Sequence, residues 1–228
     1  TVEEASRYAA SNADPARQAQ NFAGVTGAGD DIYNDIVIRG NSPRGLLWRL
    51  EGIEIANPNH FASLGSLGGA VRMLSSNVLR SSAFFTGAFP AEYGNALSGV
   101  FDLRFRTGNN EKRETTIGVG FLGLEVAGEG PFHKKSEASY LFNYRYSTLA
   151  ILNQLGVKIA GDVFPTYQDL SFNLNFPTQK MGTFNIFGVG GASLANFDTD
   201  PEWSETVTET EVDKSLTGIV GVKHMAFW

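Results

Sequence analysis

Strict alternation over two long stretches limits what this chain can fold into. In EASYLFNYRYS (137–147), Ala138, Tyr140, Phe142, Tyr144 and Tyr146 alternate with Glu137, Ser139, Leu141, Asn143 and Arg145. In QDLSFNLNF (168–176), Leu170, Phe172, Leu174 and Phe176 alternate with Asp169, Ser171, Asn173 and Asn175. A period of two puts one set on each face of a strand. The runs are nine to eleven residues long, the span of a tilted membrane-crossing strand. Shorter candidates at 114–121, 124–130, 182–191 and 217–228 bring the total to six antiparallel strands. The connections alternate too. Leu122-Gly123 is tight, 133–136 and 178–181 are short, and 147–166 and 193–215 are long. In an up-and-down sheet the long and short connections segregate to opposite ends, the asymmetry of an outer-membrane barrel. A soluble β-sandwich also alternates, though its core strands are shorter and rarely carry Tyr-Phe-Tyr-Tyr in one row. On patterning alone both architectures stay open.

The first half reads as a small mixed α/β unit. TVEEASRYAA (1–10) reads as a short helix, with capping-box spacing between Thr1 and Glu4. Asp14-Pro15 is an N-cap followed by proline at the first helical position. GVTGAGDD (24–31) is a Gly-rich loop too irregular for a dinucleotide fingerprint. Strands are expected at Ile36–Ile38, at Leu46–Leu50 with one drier face, at Ile53–Ile55, over 79–85 and over 100–106, with Glu51-Gly52 as a two-residue hairpin turn. GGAVRMLSS (68–76) is expected as a short helix, FPAEYG (89–94) as a turn and TGNNEKRE (107–114) as a linker.

Composition narrows the function. A net charge of −6 lacks the basic footprint of a nucleic-acid binder. Without cysteine there is neither disulfide nor thiolate metal site. No apolar run reaches the length of a membrane-spanning helix, which does not bear on a β-barrel. His60, His133 and His224 lack ligand spacing. The acids from Asp198 to Asp213 read as a solvated loop without EF-hand spacing. No G-x-S-x-G elbow supports a triad, so no catalytic residue, metal or cofactor is assigned and the chain reads as a non-enzyme.

The ordered set IVIRG (36–40), LLWRLEGIEI (46–55), NPNHF (57–61) and GAFPAEYGNALSGVFDLRFRTG (87–108) resembles the TonB-dependent outer-membrane receptors. The hairpin carries Glu51 where the family has Asp, and LRSSAFFTG (79–87) lacks the charges the family often has there. The resemblance implies an α+β plug domain over 1–107, then antiparallel strands of an incomplete outer-membrane β-barrel over 108–228. Six strands are expected here, where the family's barrel has about 22. It implies transport: ligand-triggered active import through a plugged pore in the outer membrane of a Gram-negative cell. Its partners would be a TonB-type energy-transducing protein of the inner membrane, outer-membrane lipid, and a small-molecule, metal-chelate, glycan or peptide ligand. A surface lipoprotein would join them if glycan or peptide were the cargo.

By position in the family pattern, Gly29, Asp30, Asp31, Ser42, Arg44, Asn59, His60 and Phe61 lie on ligand-facing plug loops. Ile38, Arg39, Gly40, Glu51, Gly52, Tyr93 and Gly94 are the structural plug motif. His60 is open between loop packing and ligand contact. The alternative from another class is a soluble periplasmic or surface β-rich binding module.

Overall fold

The computed structural model describes residues 14–27, 33–62, 68–80, 82–120, 123–134, 136–156, 165–199 and 209–226. It is mostly antiparallel β-structure with few helices. Helix α1 (Pro15–Ala19) starts where the sequence signals it, with Pro15 at the first position. Asp14 Oδ1 accepts the Ala16 N–H at 2.8 Å, satisfying one of the orphan donors of the first turn. The helix expected before it lies outside the described residues. Strand β1 (Val25–Gly27) pairs with β2 (Ile36–Ile38). Then come β3 (Leu46–Leu50), β4 (Ile53–Glu54), β5 (Asn59–His60), β6 (Val71–Arg72), β7 (Ala83–Phe85) and β8 (Gly99–Leu103). They make a four-stranded sheet in the order β4-β3-β8-β7 and a two-stranded ladder, β5-β6.

The β3–β4 hairpin is tight because Glu51 (φ 54°) and Gly52 (φ 87°) both take the left-handed region, the geometry of a type I′ turn. Strand β3 was expected to have one drier face, yet Leu46, Leu47, Trp48 and Leu50 are all buried. The cause is its parallel pairing with β8, every residue of which is buried. A parallel pair covered on both faces needs no alternation. Trp48 stacks on its register partner Phe101 at 4.4 Å, and Phe84 stacks on Phe101 from the other side.

The helix expected over 68–76 does not form. Val71–Arg72 is strand β6 against β5, and a 3-10 turn follows at Ser76–Val78. Gly69 decides this locally. A Cβ there would sit 2.5 Å from the His60 carbonyl oxygen, so the chain approaches β5 backbone to backbone.

The second half is one meander: β9 (Glu114–Val119), β10 (Gly123–Pro131), β11 (Ser139–Ser147), β12 (Thr166–Thr178), β13 (Gly182–Thr199) and β14 (Glu209–Met225), each antiparallel to the next. Helix α2 (Thr148–Gln154) begins the connection after β11. The long connection expected over 193–215 is mostly strand, with Thr199 paired to Glu209. Hydrophobic alternation fades there while backbone pairing continues, which is why it escapes a pattern based on side chains.

Register lines Phe142, Phe172, Gly188 and Val220 into one row, and Tyr144, Leu170, Gly190 and Gly218 into the next. This face is open: Leu216 is 83% exposed and Val220 74%. The opposite face carries Leu141, Asn143, Ser171 and Phe187, all 0% exposed, because the N-terminal unit covers it. Leu141, Phe187 and Val189 join Ile36, Leu50, Met73 and Leu103 in a single core. Among the described residues no helix is long and apolar enough to cross a membrane.

Candidate functional site

The N-terminal unit meets the sheet through buried and partly buried charged ties, each joining a short loop or strand end to the inner face of a long strand. At one, His60 on β5 places Nε2 3.1 Å from Asp169 Oδ2 on β12, with both side chains fully buried. Asp169 also accepts Arg145 Nε at 3.0 Å and Arg145 Nη2 at 2.7 Å, a forked charge-assisted pair. Arg145 Nη2 donates as well to the Arg72 carbonyl oxygen on β6. A carboxylate already serving a guanidinium is an acceptor only, so His60 Nε2 carries the proton. His60 Nδ1 has no partner among the described residues. The ring lies 4.9 Å from that of Tyr167. It fits because β13 has glycine opposite: a Cβ on Gly191 would be 2.5 Å from His60 Cε1.

A polar relay backs this corner. Asn34 Nδ2 donates to Asp14 Oδ2 at 2.7 Å and to Asn59 Oδ1 at 3.0 Å, and Asn59 Nδ2 donates to Asn57 Oδ1 at 2.6 Å. Burial pushes the Arg72 guanidinium down to about 10, opposed chiefly by Asp14. It therefore stays charged at neutral pH.

The next tie is Glu125 on β10. Its Oε1 accepts Ser75 Oγ at 2.5 Å and Asn77 Nδ2 at 2.9 Å from the N-terminal unit, and Asn143 Nδ2 from β11. Below it Arg106 forks onto Glu129, Nη1 to Oε2 at 2.7 Å and Nη2 to Oε1 at 2.8 Å. Arg106 Nε donates to the Asn77 carbonyl at 2.6 Å, and Asn173 Nδ2 donates to the Arg106 carbonyl at 3.0 Å. At the hairpin, Glu51 accepts the Phe105 N–H on Oε1 at 2.7 Å and the Lys223 ammonium of β14 on Oε2 at 2.8 Å.

Of the expected loop residues, Ser42 and Arg44 are exposed, and Ser42 Oγ accepts the Arg44 N–H at 3.3 Å. Asn59, His60 and Phe61 are buried in the contact just described. Their side chains belong to packing and to the relay, not to an open loop tip. The ring of Phe61 meets Tyr167 edge-on at 6.3 Å. Gly29, Asp30 and Asp31 lie outside the described residues. In the motif, Ile38 is core, and Arg39 (φ 50°) and Gly40 (φ 77°) turn the chain after β2. Tyr93 is buried beneath Arg49, 4.6 Å above its ring, with its hydroxyl 3.4 Å from Asp102, and Gly94 is exposed. Sequence reasoning passed over Arg145, Asp169, Glu125, Glu129 and Lys223. Their signal was a charge on the polar side of an otherwise apolar alternation.

This arrangement positions one body on another. His60 and Asp169 have no hydroxyl nucleophile on the free ring nitrogen and are sealed from solvent. Among the described residues no cluster of three or more acidic or histidine side chains could hold a metal.

No protein-family model matches the sequence, and no curated protein matches it in sequence. Solved structures do share the fold. The siderophore receptor PirA from Acinetobacter baumannii superposes with a TM-score of 0.50 at 15% identity, over 90% of this chain and 38% of that one. A mutant of the ferric enterobactin receptor PfeA from Pseudomonas aeruginosa superposes at 0.54 and 15% identity, over 86% of this chain and 32% of that one. Another PfeA mutant gives 0.50 and 14%, over 81% and 31%. The chain thus spans about a third of the length of these receptors, and identities this low speak for the fold alone.

Proposed function

We propose that residues 1–107 are the plug, and 108–228 the first six barrel strands, of a TonB-dependent outer-membrane receptor that imports its ligand actively. The observation that carries this reading is the two-faced sheet. One face is apolar and exposed; the other mixes core side chains with buried polar and charged ones and is closed by a folded unit tied to it through Asp169, Glu125, Glu129 and Lys223. Lipid outside and a plugged lumen inside satisfy both faces at once. From the row of Phe184 to that of Leu194 the apolar band runs ten residues along β13. At roughly 3.4 Å per residue and a tilt near 40° that is about 25 Å of height, the thickness of a barrel's lipid-facing band.

In this reading the end of the sheet bearing α2 faces outward. A small-molecule or metal-chelate ligand, by analogy with the siderophore receptors that share the fold, meets the exposed Ser42 and Arg44. Its preference for one plug state over another exposes the N-terminal segment to the energy-transducing partner. The polar ties hold the plug until it is pulled. Glycan or peptide cargo remains compatible with the same architecture.

The test is uptake by cells carrying the whole receptor, with a panel of labelled ferric chelates and with the energy transducer present or deleted. Transducer-dependent accumulation is expected. Arg44→Ala should lower it at an unchanged amount of folded receptor, whereas His60→Ala should lower the folded receptor itself. Recovery of the intact protein in the soluble fraction would overturn the reading in favour of a soluble binding module.

A further inference from the structure

The open face of the sheet is not uniformly bulky. Where β13 crosses its middle, Gly190 and its register partner Gly218 leave a groove of about 640 Å³. Leu170 and Phe172 wall it from β12, and Leu216 and Val220 from β14. A Cβ at Gly218 would meet nothing within 4 Å, and one at Gly190 only the Thr217 carbonyl oxygen at 3.5 Å and the Gly218 Cα at 3.8 Å, both ordinary van der Waals contacts. The floor is therefore open space, not a close approach of backbones. At its upper end, two residues along β14 from Leu216, stands exposed Lys214 on the same face. Lys214 pairs in register with Leu194 at the outer limit of the apolar band.

The dimensions select the occupant. The walls stand on strands two apart, so their backbones are roughly 9.5 Å from one another before the side chains lean in. That is too narrow for a helix, whose diameter with side chains is about 10–12 Å. An added peptide strand would bring amide groups that nothing in hydrocarbon can satisfy. A polymethylene chain has neither problem. A lysine at the band's edge reaches up to the interface, where it would oppose a phosphate.

We propose that this groove seats one acyl chain of an anionic membrane lipid, with the Lys214 ammonium against the lipid's phosphate. The inference rests on the outer-membrane reading above. The whole receptor, reconstituted in nanodiscs of phosphatidylcholine and phosphatidylglycerol with identical chains, is extracted gently, and its retained lipid is counted by native mass spectrometry. The expected result is retained phosphatidylglycerol, cut tenfold or more in the Gly190→Leu/Gly218→Leu variant. Lys214→Gln should erase the preference for phosphatidylglycerol while a chain is still retained. Equal retention in the Leu variant overturns the proposal. So does a disulfide between two copies through Val220→Cys, usable because these residues contain no native cysteine; it would assign the groove to a second copy. An unsubstituted receptor that keeps the heat-modifiable mobility of a folded barrel but retains no specific lipid sinks the groove alone. A receptor recovered from the soluble fraction sinks the outer-membrane reading with it.

Discussion

Asp169 serves two donors from different parts of the chain, and they are not of equal weight. Arg145 is permanently charged, forks onto the carboxylate through two N–H groups, and its side chain is only 12% exposed; His60 makes a single contact through Nε2. Removing the carboxylate strands the guanidinium, which costs about 3–5 kcal/mol for a buried pair. Removing His60 leaves the Arg145 fork intact and forfeits one hydrogen bond to a charged group, worth about 1.5–3 kcal/mol, plus its packing. Asp169→Asn should therefore lower the melting temperature of the protein in detergent more than His60→Ala does. The reverse order would mean that the histidine is the principal partner. Glu51 separates two effects in the same way. Glu51→Gln keeps an acceptor for the Phe105 N–H and loses only the charge opposite Lys223, which is 27% exposed, so a cost below about 1 kcal/mol is expected. Glu51→Ala orphans a buried amide and should cost about 1–3 kcal/mol. At this scale the glycine of the hairpin was legible, because a two-residue turn demands positive φ. The double use of the Glu51 carboxylate was not, because Lys223 lies 172 positions away.

Between elements the decisive contact is β5 against β13. Gly191→Ala would drive a methyl group into His60 Cε1 and Met73 Sδ, at 2.5 and 3.1 Å. Neither neighbour is a free side-chain end, so overpacking of about 1–3 kcal/mol should loosen the N-terminal unit from the sheet. Gly218→Ala, on the open face, should be silent. Limited proteolysis of the two variants side by side reads this out. Faster release of N-terminal fragments is expected from Gly191→Ala only, and equal rates would deny the contact its role. The ladder that presents His60 was misjudged from sequence. GGAVRMLSS carries apolar residues at spacings that suit a helical turn, but its first two glycines admit close approach to Asp35 and to the His60 backbone. Tertiary contact outweighed local propensity there.

At the scale of the whole molecule, the proposed outer-membrane reading puts the exposed apolar face of the meander against lipid. A lysine on that face costs roughly 2–4 kcal/mol at the bilayer midplane and about 0–1 near the interfaces. Phe172→Lys, in a middle row, should therefore destabilise the membrane-reconstituted protein far more than His224→Lys, in the lowest row beside Phe184. Similar costs at the two depths would count against a membrane. Residues 1–228 expressed alone should associate or require detergent, since β9 and β14 are unpaired edges and the apolar face is wet. A monodisperse monomer without detergent, seen by sedimentation, would favour the soluble module.

Sequence by itself determined that six strands make up the second half and which residues share a face, though not how far β13 and β14 extend, together with the hairpin at Glu51-Gly52 and the start of α1. Each is set by neighbours within a few positions: period-two alternation, positive φ, an N-cap before proline. Only the tertiary structure decided that His60 is buried and not a loop tip, that β3 and β8 pair in parallel, and that charges on alternating strands are ties and not a solvated lining. Those outcomes depend on which distant groups share a desolvated space. A buried charge has a stable place only where its partner is already fixed, and no local pattern carries that information.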